Sequence, residues 1–333
     1  MQTNLTKSFT FINYVATALL LSLLFIPIHA AAFKHQPSFP LHEDVRFQPG
    51  EPHESKFFRV EGAPELSVFT ANGNIEVRSN PAINGVQVDL YVRREFSLWS
   101  GTRNLDNYRI IIQQRGNSVV ASVEDRRSGT RTRSGDDVRF TFVIEVPEKG
   151  SVNLRTTNGS ILLNGVEGKH FIQNHNGDIT VKKSSGEIRV ASTSGNLNLE
   201  NLSGNIFGKT VNGNIRSKDN SGELRLRSVS GNLDAVGTRG ALVAASTSGA
   251  LHASFTDVSM GIDLETVSGD VILGLPDEKG FTIDARGMRF DFGTLQAADS
   301  PGRVRPSSAS LEVRGGGIPV NLSTVSGTVR IKE

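Results

Sequence analysis

The sequence predicts an all-β protein, a two-sheet β-solenoid with β-rich caps, and three observations carry this prediction. Eleven glycines recur at intervals of nine residues from Gly159 to Gly249. Aliphatic residues stand two and four positions after most of these glycines, which is the period of a strand with one buried face. The flanking segments 57–150 and 277–333 contain further alternating segments and the same glycine signature. Each nine-residue unit is therefore expected to be a short strand followed by a turn.

The nine-residue units are of two kinds, so the structural repeat is 18 residues long. Each glycine, usually preceded by Ser or Asn, is expected to supply a corner that needs a positive φ or a close backbone approach. Every second unit also carries Thr, Ser or Asn three residues before its glycine, namely Thr156, Asn174, Ser192, Thr210, Ser228 and Ser246. Each 18-residue coil would contribute one strand to each of two facing parallel sheets.

An antiparallel meander of two-residue hairpins also fits this spacing. A meander would leave its aliphatic face without a second layer, whereas the two sheets of a solenoid cover each other, which favours the solenoid. Residues 151–275 would then form about seven coils, stacked about 4.8 Å apart. The predicted interior consists of Ile161, Leu163, Ile179, Val181, Ile188, Val190, Leu197, Leu199, Ile206, Ile215, Leu224, Leu226, Leu233, Leu242 and Leu251.

Residues 1–32 have the order of a secretory signal peptide: a basic start, an uncharged apolar run from Ala16 to Ile28, and small residues up to Ala32. The apolar run is about 13 residues long, whereas a bilayer span needs roughly 20. We therefore expect cleavage after Ala32 and no stable membrane span afterwards. A retained anchor made from residues 9–32 is the alternative. The chain is predicted to be exported to the periplasm, the cell surface or the medium.

Four further segments follow the signal peptide. Residues 33–56 are rich in Pro and His without an apolar period and are predicted to be a disordered linker. Residues 57–150 are predicted to form an N-terminal β region and cap, and residues 151–276 the solenoid repeats. Residues 277–333 are predicted to be an insertion followed by a closing β repeat. Caps are needed because the end coils of a solenoid have open strand edges.

The repeated units, the strand Val143–Val146 followed by Pro147, and the closing Gly-rich run with Thr324–Gly327 resemble a bacterial secreted β-repeat family of unknown function. That family carries the label "putative adhesin", and the resemblance covers about residues 57–333. The resemblance implies an adhesin-like β-solenoid protein of the cell envelope with no established catalytic residue.

Composition and motifs exclude several classes of function. The net charge of +2 gives no reason to expect nucleic-acid binding. The absence of Cys excludes thiolate metal sites and cysteine nucleophiles. Phosphate-binding loops, zinc-protease helices, calcium loops and nucleophile elbows are also absent from the sequence. We therefore predict no cofactor, no metal and no enzyme activity, with a carbohydrate-active β-helix enzyme as the alternative.

Two groups of residues are candidate ligand-binding sites. The first is an outward row on successive coils that alternates aromatic and guanidinium side chains: Phe171, Arg189, Phe207 and Arg225. The second is a basic cluster in an irregular segment: Arg126, Arg127, Arg131 and Arg133. Both could bind a sugar or an anionic polymer. The row could equally be a cation–π ladder that only stabilises the sheet, and the cluster a solvated hairpin tip.

The function predicted from these features is that of a non-enzymatic, adhesin-like or scaffolding protein of the bacterial cell envelope. Its partner would be a glycan, an anionic envelope polymer or another protein, and a scaffold would also self-associate through the solenoid ends. An envelope sensor or accessory protein that binds a partner protein is a further alternative.

Overall fold

The structure is a computed structural model that describes residues 50–94, 105–125, 138–293, 295, 303–305 and 307–332. The predicted signal peptide and most of the predicted linker lie outside the described residues. The basic cluster lies outside them as well. In the described part of the chain, no helix is long and apolar enough to cross a membrane.

The described residues form strands β1–β25, with one short 3-10 helix at Leu105–Asn107. The N-terminal strands are β1 (Glu54–Arg59), β2 (Glu65–Asn72), β3 (Ile75–Ser79), β4 (Gly85–Arg94), β5 (Tyr108–Arg115), β6 (Ser118–Asp125) and β7 (Val138–Val146). The repeats supply β8 (Ser151–Asn158), β9 (Ile161–Asn164), β10 (Glu167–Asn176), β11 (Ile179–Lys182), β12 (Ser185–Ser194), β13 (Leu197–Glu200), β14 (Ser203–Asn212), β15 (Ile215–Lys218), β16 (Ser221–Ser230), β17 (Leu233–Ser248), β18 (Leu251–Ser268) and β19 (Val271–Gly274). The C-terminal strands are β20 (Phe281–Arg286), β21 (Arg289–Asp291), β22 (Arg303–Arg305), β23 (Ser308–Val313), β24 (Ile318–Ser326) and β25 (Thr328–Lys332).

These strands form two facing layers, which we name by the length of their repeat strands. The order in the long-strand sheet is β5-β6-β2-β8-β10-β12-β14-β16-β17-β18-β24-β20-β23-β22. The order in the short-strand sheet is β1-β4-β7-β3-β9-β11-β13-β15-β17-β18-β19-β25-β21. Strands β17 and β18 are long enough to contribute to both sheets.

The strands of the repeats pair in parallel, with a constant offset of 18 residues from β8 to β17 and an offset that reaches 20 between β17 and β18. His170 on β10, for example, pairs with Val152 on one side and Ile188 on the other. This pairing confirms the solenoid and shows that the antiparallel meander is wrong for the repeats. Residues 151–275 form seven coils, from β8–β9 to β18–β19, as the spacing predicts.

All of the interior residues predicted from the repeats are buried, and they belong to one continuous apolar cluster. Period-two alternation places them between the two sheets, while the residues between them face solvent. The second sheet supplies the apolar layer that a single sheet would lack, so burial explains why the repeats form two layers.

The corner between the long and the short strand of each coil depends on glycine. Gly195 has a φ of 158° and Gly177 a φ of 116°, which are both unfavourable for other residues. A Cβ on Gly195 would also overlap the carbonyl group of Gly177 in the preceding coil. Glycine is therefore required at this corner for two reasons: φ is positive, and each coil stacks closely on the preceding one.

The polar residue three positions before the corner glycine binds the preceding coil. Thr210 Oγ1 donates a hydrogen bond to the Gly195 carbonyl at 3.1 Å, and Ser228 Oγ donates to the Gly213 carbonyl at 3.1 Å. Thr266 Oγ1 donates to the Gly249 carbonyl at 3.0 Å. These hydroxyls are buried, so each hydrogen bond satisfies a donor that water cannot reach. Five of the six residues predicted at this position make this contact, which explains why Thr, Ser or Asn recurs in every second unit, whereas the buried Ser192 hydroxyl has no hydrogen-bond partner among the described residues.

The end coils are added out of chain order. At one end, β6 pairs in parallel with β2, and β7 pairs in parallel with β3. At the other end, β20 and β21 pair in parallel with β24 and β25. Antiparallel strands then cover each end coil, including β5 on β6 and β23 on β20. The β-rich caps thus replace open parallel edges with hairpin-like pairs.

Replacement of Gly195 by Ala is expected to destabilise the fold by about 2 to 5 kcal/mol, because both the backbone conformation and the coil-to-coil contact are lost. The measurement is the free energy of unfolding from urea denaturation. Gly116→Ala is the matched control, since Gly116 has a φ of 59° but open space around it. We expect about 1 kcal/mol there, and equal losses in the two variants would contradict the stacking explanation.

The buried His170 is expected to make the fold less stable in weak acid. Burial lowers the pKa of His170 below its ordinary value of 6.5, although hydrogen bonds to backbone groups of Val166 and Ser185 oppose this shift. The unfolded chain therefore binds a proton that the folded chain does not bind as pH falls below 6.5. Stability is lost in that range. The melting temperature should fall between about pH 7.5 and pH 5.5.

In His170→Leu that fall should be smaller than in the unsubstituted protein. His175→Leu, at an exposed position on the same strand, is the control. An equal fall in the His170→Leu protein would show that other groups cause the acid sensitivity.

Candidate binding face

The outward side chains of the long-strand sheet form parallel columns that run across the strands, and we consider the three columns at the middle of the strands, such as Lys169, Phe171 and Gln173 on β10. We call this surface the outer face. Its middle column contains the predicted row, and the pairing confirms that the row is continuous: Phe171 pairs with Arg189, Arg189 with Phe207, and Phe207 with Arg225. Val243 of β17 is next in the same column.

The aromatic rings and guanidinium groups of the row lie in contact. The Arg189 Cζ atom lies 5.7 Å from the Phe171 ring centroid and 5.1 Å from the Phe207 ring centroid. The Arg225 Cζ atom lies 5.9 Å from the Phe207 centroid. Each distance is within cation–π range. The row is therefore a cation–π ladder, and Phe171 still exposes 45% of its surface to solvent.

Each arginine of the row also forms an ion pair with a glutamate two residues earlier on its own strand. Arg189 Nε and Nη2 lie 2.7 and 2.6 Å from Glu187 Oε1, and Arg225 makes the same two contacts with Glu223 at 2.7 and 2.5 Å. The glutamates hold the guanidinium planes over the rings and offset much of their charge. More than half of each arginine side chain remains exposed, so these surface pairs add little to stability.

The third column of the outer face supplies cations that the sequence analysis missed. Arg155, Lys209 and Arg227 stand two residues after the middle column, on β8, β14 and β16. Within the described part of the chain, no carboxylate lies within 4.0 Å of the charged groups of Lys209 and Arg227. With Phe171, Phe207 and their neighbours, these cations line a groove of about 470 Å³.

A signal for these cations was present in the sequence. Lys209 and Arg227 are 18 residues apart, which is one coil, and two residues after Phe207 and Arg225. Extending the same period-two argument by one outward position would have found them.

Other reactive groups are sparse in the described ranges. No group of three His, Asp or Glu side chains there could hold a metal ion. Asp257 forms an ion pair with Lys279 at 2.5 Å, and the hydrogen bond from Lys279 lowers the pKa of this carboxyl. Burial raises the pKa of Tyr91. Neither residue lies in the groove.

Comparison with known proteins identifies the family. Comparison with curated proteins finds no match. Among solved structures, a "putative adhesin" from Bacteroides fragilis is 10% identical over 84% of this chain and 96% of its own, with a TM-score of 0.38. A "putative adhesin" from Parabacteroides merdae is 13% identical over 85% and 97%, with a TM-score of 0.33. A "putative cell adhesion protein" from Clostridium sporogenes is 13% identical over 85% and 99%, with a TM-score of 0.23.

The profile of the Toastrack DUF4097 family matches residues 52–332, which covers the solenoid and both caps. This match confirms the family resemblance inferred from the repeats. The chain belongs to the Toastrack DUF4097 family, whose function is unknown.

Proposed function

We propose that this protein is an exported, non-enzymatic, adhesin-like or scaffolding protein of the bacterial cell envelope, and that its outer face binds an anionic glycan or a related envelope polymer. The observation that carries the proposal is the exposed Phe171–Arg225 ladder, bordered by the cations of the third column.

The two columns offer different chemistry to one ligand. Exposed aromatic rings bind the apolar faces of sugars, and the ladder keeps the rings of Phe171 and Phe207 oriented across the groove. Lys209 and Arg227 supply positive charge for carboxylate or sulfate groups, since neither is paired with a carboxylate within the described residues. A neutral ligand would not use these cations, and a small anion would not need the rings.

The repeat of the ladder matches an extended polymer that lies along the solenoid axis. Phe171 and Phe207 are two coils apart, which corresponds to about 9.6 Å at about 4.8 Å per coil. This spacing is close to the length of one disaccharide in an extended polysaccharide. The groove also runs across several strands, so successive coils can contact successive sugars of one chain.

Export rests on the residues of the predicted signal peptide. If the chain is exported, the polymer is one of the cell envelope or its surroundings, and the sheet face is exposed to it directly. The non-enzymatic role is supported by the absence of catalytic motifs from the sequence and by the lining of the groove, which contains cations and rings but no pair of carboxylates such as glycosidases use.

Replacement of Phe207 and Arg225 by Ala should weaken polymer binding at least tenfold, which corresponds to about 1.4 kcal/mol, because a ring and a guanidinium leave the centre of the groove. The measurement is the retention of the purified protein on immobilised heparin, polygalacturonate and dextran at low and moderate salt. The protein is used in the form in which the expressing cell exports it. Binding to an anionic polymer should fall with added salt, and dextran should bind least.

The matched control is Arg216→Ala with Lys218→Ala, which removes two exposed cations from the short-strand sheet. This variant should bind as the unsubstituted protein does. Unchanged retention after the Phe207 and Arg225 replacements would overturn the assignment of the groove. Failure of the unsubstituted protein to bind any of the polymers would favour a partner-protein or scaffolding role, and shortened polymer chains would favour an enzyme.

A further inference from the structure

Two stretches of the outer face, from β8 to β16 and from β18 to β23, carry opposite net charges. On the half from β8 to β16, the charged residues of the three columns are Arg155, Lys169, Arg189, Lys209, Arg225 and Arg227, with Glu187 and Glu223 as the opposing charges. On the half from β18 to β23, they are Asp263, Glu265, Asp284 and Glu312, with Arg286 as the opposing charge. We call these the basic half and the acidic half.

Three carboxylates of the acidic half have no cationic partner within the described part of the chain. Asp263, Glu265 and Asp284 are exposed, and no Lys or Arg there lies within 4.0 Å of their carboxylate oxygens. With Asn321 and Ser323 they line a polar groove of about 710 Å³. These carboxylates are therefore available to cations from outside the chain.

A narrow band of small apolar side chains separates the two halves. On β17 the three outward columns are occupied by Ala241, Val243 and Ala245, which are buried or half-buried. No charged group occupies the three columns on this strand. A second surface can approach closely there without burying a charge.

We infer that two copies of this chain associate through their outer faces, with their solenoid axes antiparallel and a two-fold axis along β17. This interface is isologous, so each contact occurs twice. The interface covers the polymer groove, because Arg225 and Arg227 belong to both surfaces, so a chain in this dimer cannot bind polymer through that groove. Self-association is measured without polymer, so the inference is tested separately from the proposed function.

A two-fold axis along the strand direction keeps each column opposite the same column of the partner. Because β16 and β18 are equally distant from β17, the column pairing places Arg225 opposite the partner's Asp263. It also places Arg227 opposite the partner's Glu265. Arg225 retains guanidinium N–H donors beyond those that Glu223 accepts, so it can pair with both carboxylates.

The same symmetry holds further from the axis. In the order of the sheet, β12 and β20 are each three strands away from β17. The two-fold axis therefore places Arg189 opposite the partner's Asp284. Strands β10 and β23 are each four strands away from β17, so Lys169 lies opposite the partner's Glu312.

The remaining charges meet uncharged residues. Lys209 lies opposite the partner's Ser323, and Arg286 lies opposite the partner's Ala191. Within the three columns between β10 and β23, this arrangement therefore opposes no two like charges; Arg239, two residues before Ala241 on β17, lies outside these columns. An interface with parallel solenoid axes would instead place the basic half on the basic half, which costs free energy.

The available area suits a specific dimer. The face from β10 to β23 is about 40 Å long at about 4.8 Å per strand, and three columns are about 20 Å wide, which gives about 800 Å² per copy. A standard protein interface buries about this area on each partner. Because ion pairs hold this interface together, the dissociation constant of the dimer should rise strongly as the salt concentration increases.

Charge exchange across the interface tests the inference. Arg227→Glu places a glutamate opposite the partner's Glu265, and Glu265→Arg places an arginine opposite the partner's Arg227. Each variant should raise the dimer dissociation constant at least about tenfold, because two attractive contacts become repulsive in each dimer. The double variant restores opposite charges and should associate more tightly than either single variant. The measurement is sedimentation equilibrium of the purified chain at low and high salt.

Arg216→Glu is the matched control, since it makes the same charge change on the short-strand sheet. It should leave the dissociation constant unchanged. The inference is overturned if the unsubstituted protein is monomeric at low salt at the highest soluble concentration. A dimer that neither single variant weakens, or a double variant no tighter than the single variants, would overturn it too. Because the dimer covers the polymer groove, a dissociated Glu265→Arg protein should bind polymer at least as well as the unsubstituted protein. If it dissociates and binds no polymer, the proposed function is wrong while the interface stands.

Discussion

The close stacking of one coil corner on the next is the constraint on which the rest of the structure depends. At Gly195 the backbone approaches the Gly177 carbonyl so closely that a Cβ would overlap it, and φ is positive. Thr210 then donates to the Gly195 carbonyl from inside the coil. The corner thus favours a constant coil length. The two extra residues between Gly249 and Gly269 are accommodated by register irregularities in the pairing of β17 with β18, and Gly269 still stacks on Gly249. The 18-residue coil in turn keeps the strands from β8 to β17 in the same register.

Because the register is constant, residues that recur every 18 positions in the sequence line up in columns on the surface. Residues 18 positions apart become neighbours, so Phe171, Arg189, Phe207 and Arg225 come into contact although they are far apart in the chain. The same register places Lys209 beside Arg227 on the basic half. A solenoid can therefore build an extended binding face from short, similar units, and small differences between units determine what that face recognises.

The repeats determined much of the fold and part of the candidate site. Period two identified the interior positions, such as Ile179 and Val181, because burial between two sheets requires that alternation. The same period placed the Phe and Arg side chains on one outward row. The glutamates that pair with Arg189 and Arg225 were not predicted, because a charged residue two positions away is also common on any solvated strand. The cap pairings were not predicted either, since β6 and β20 join the stack out of chain order.

The sequence by itself determined the coil length, the inward positions and the presence of two facing sheets. The stacked corners require glycine at regular intervals, and burial requires aliphatic residues at alternate positions, so both constraints are visible as regular spacings in the sequence. Only the tertiary structure decided which side chains outside the period meet. The grouping of Asp263 with Asp284 depends on an insertion and on strands that pair across long separations. Contacts of this kind leave no regular spacing in the chain, so they become visible only when the coils are stacked.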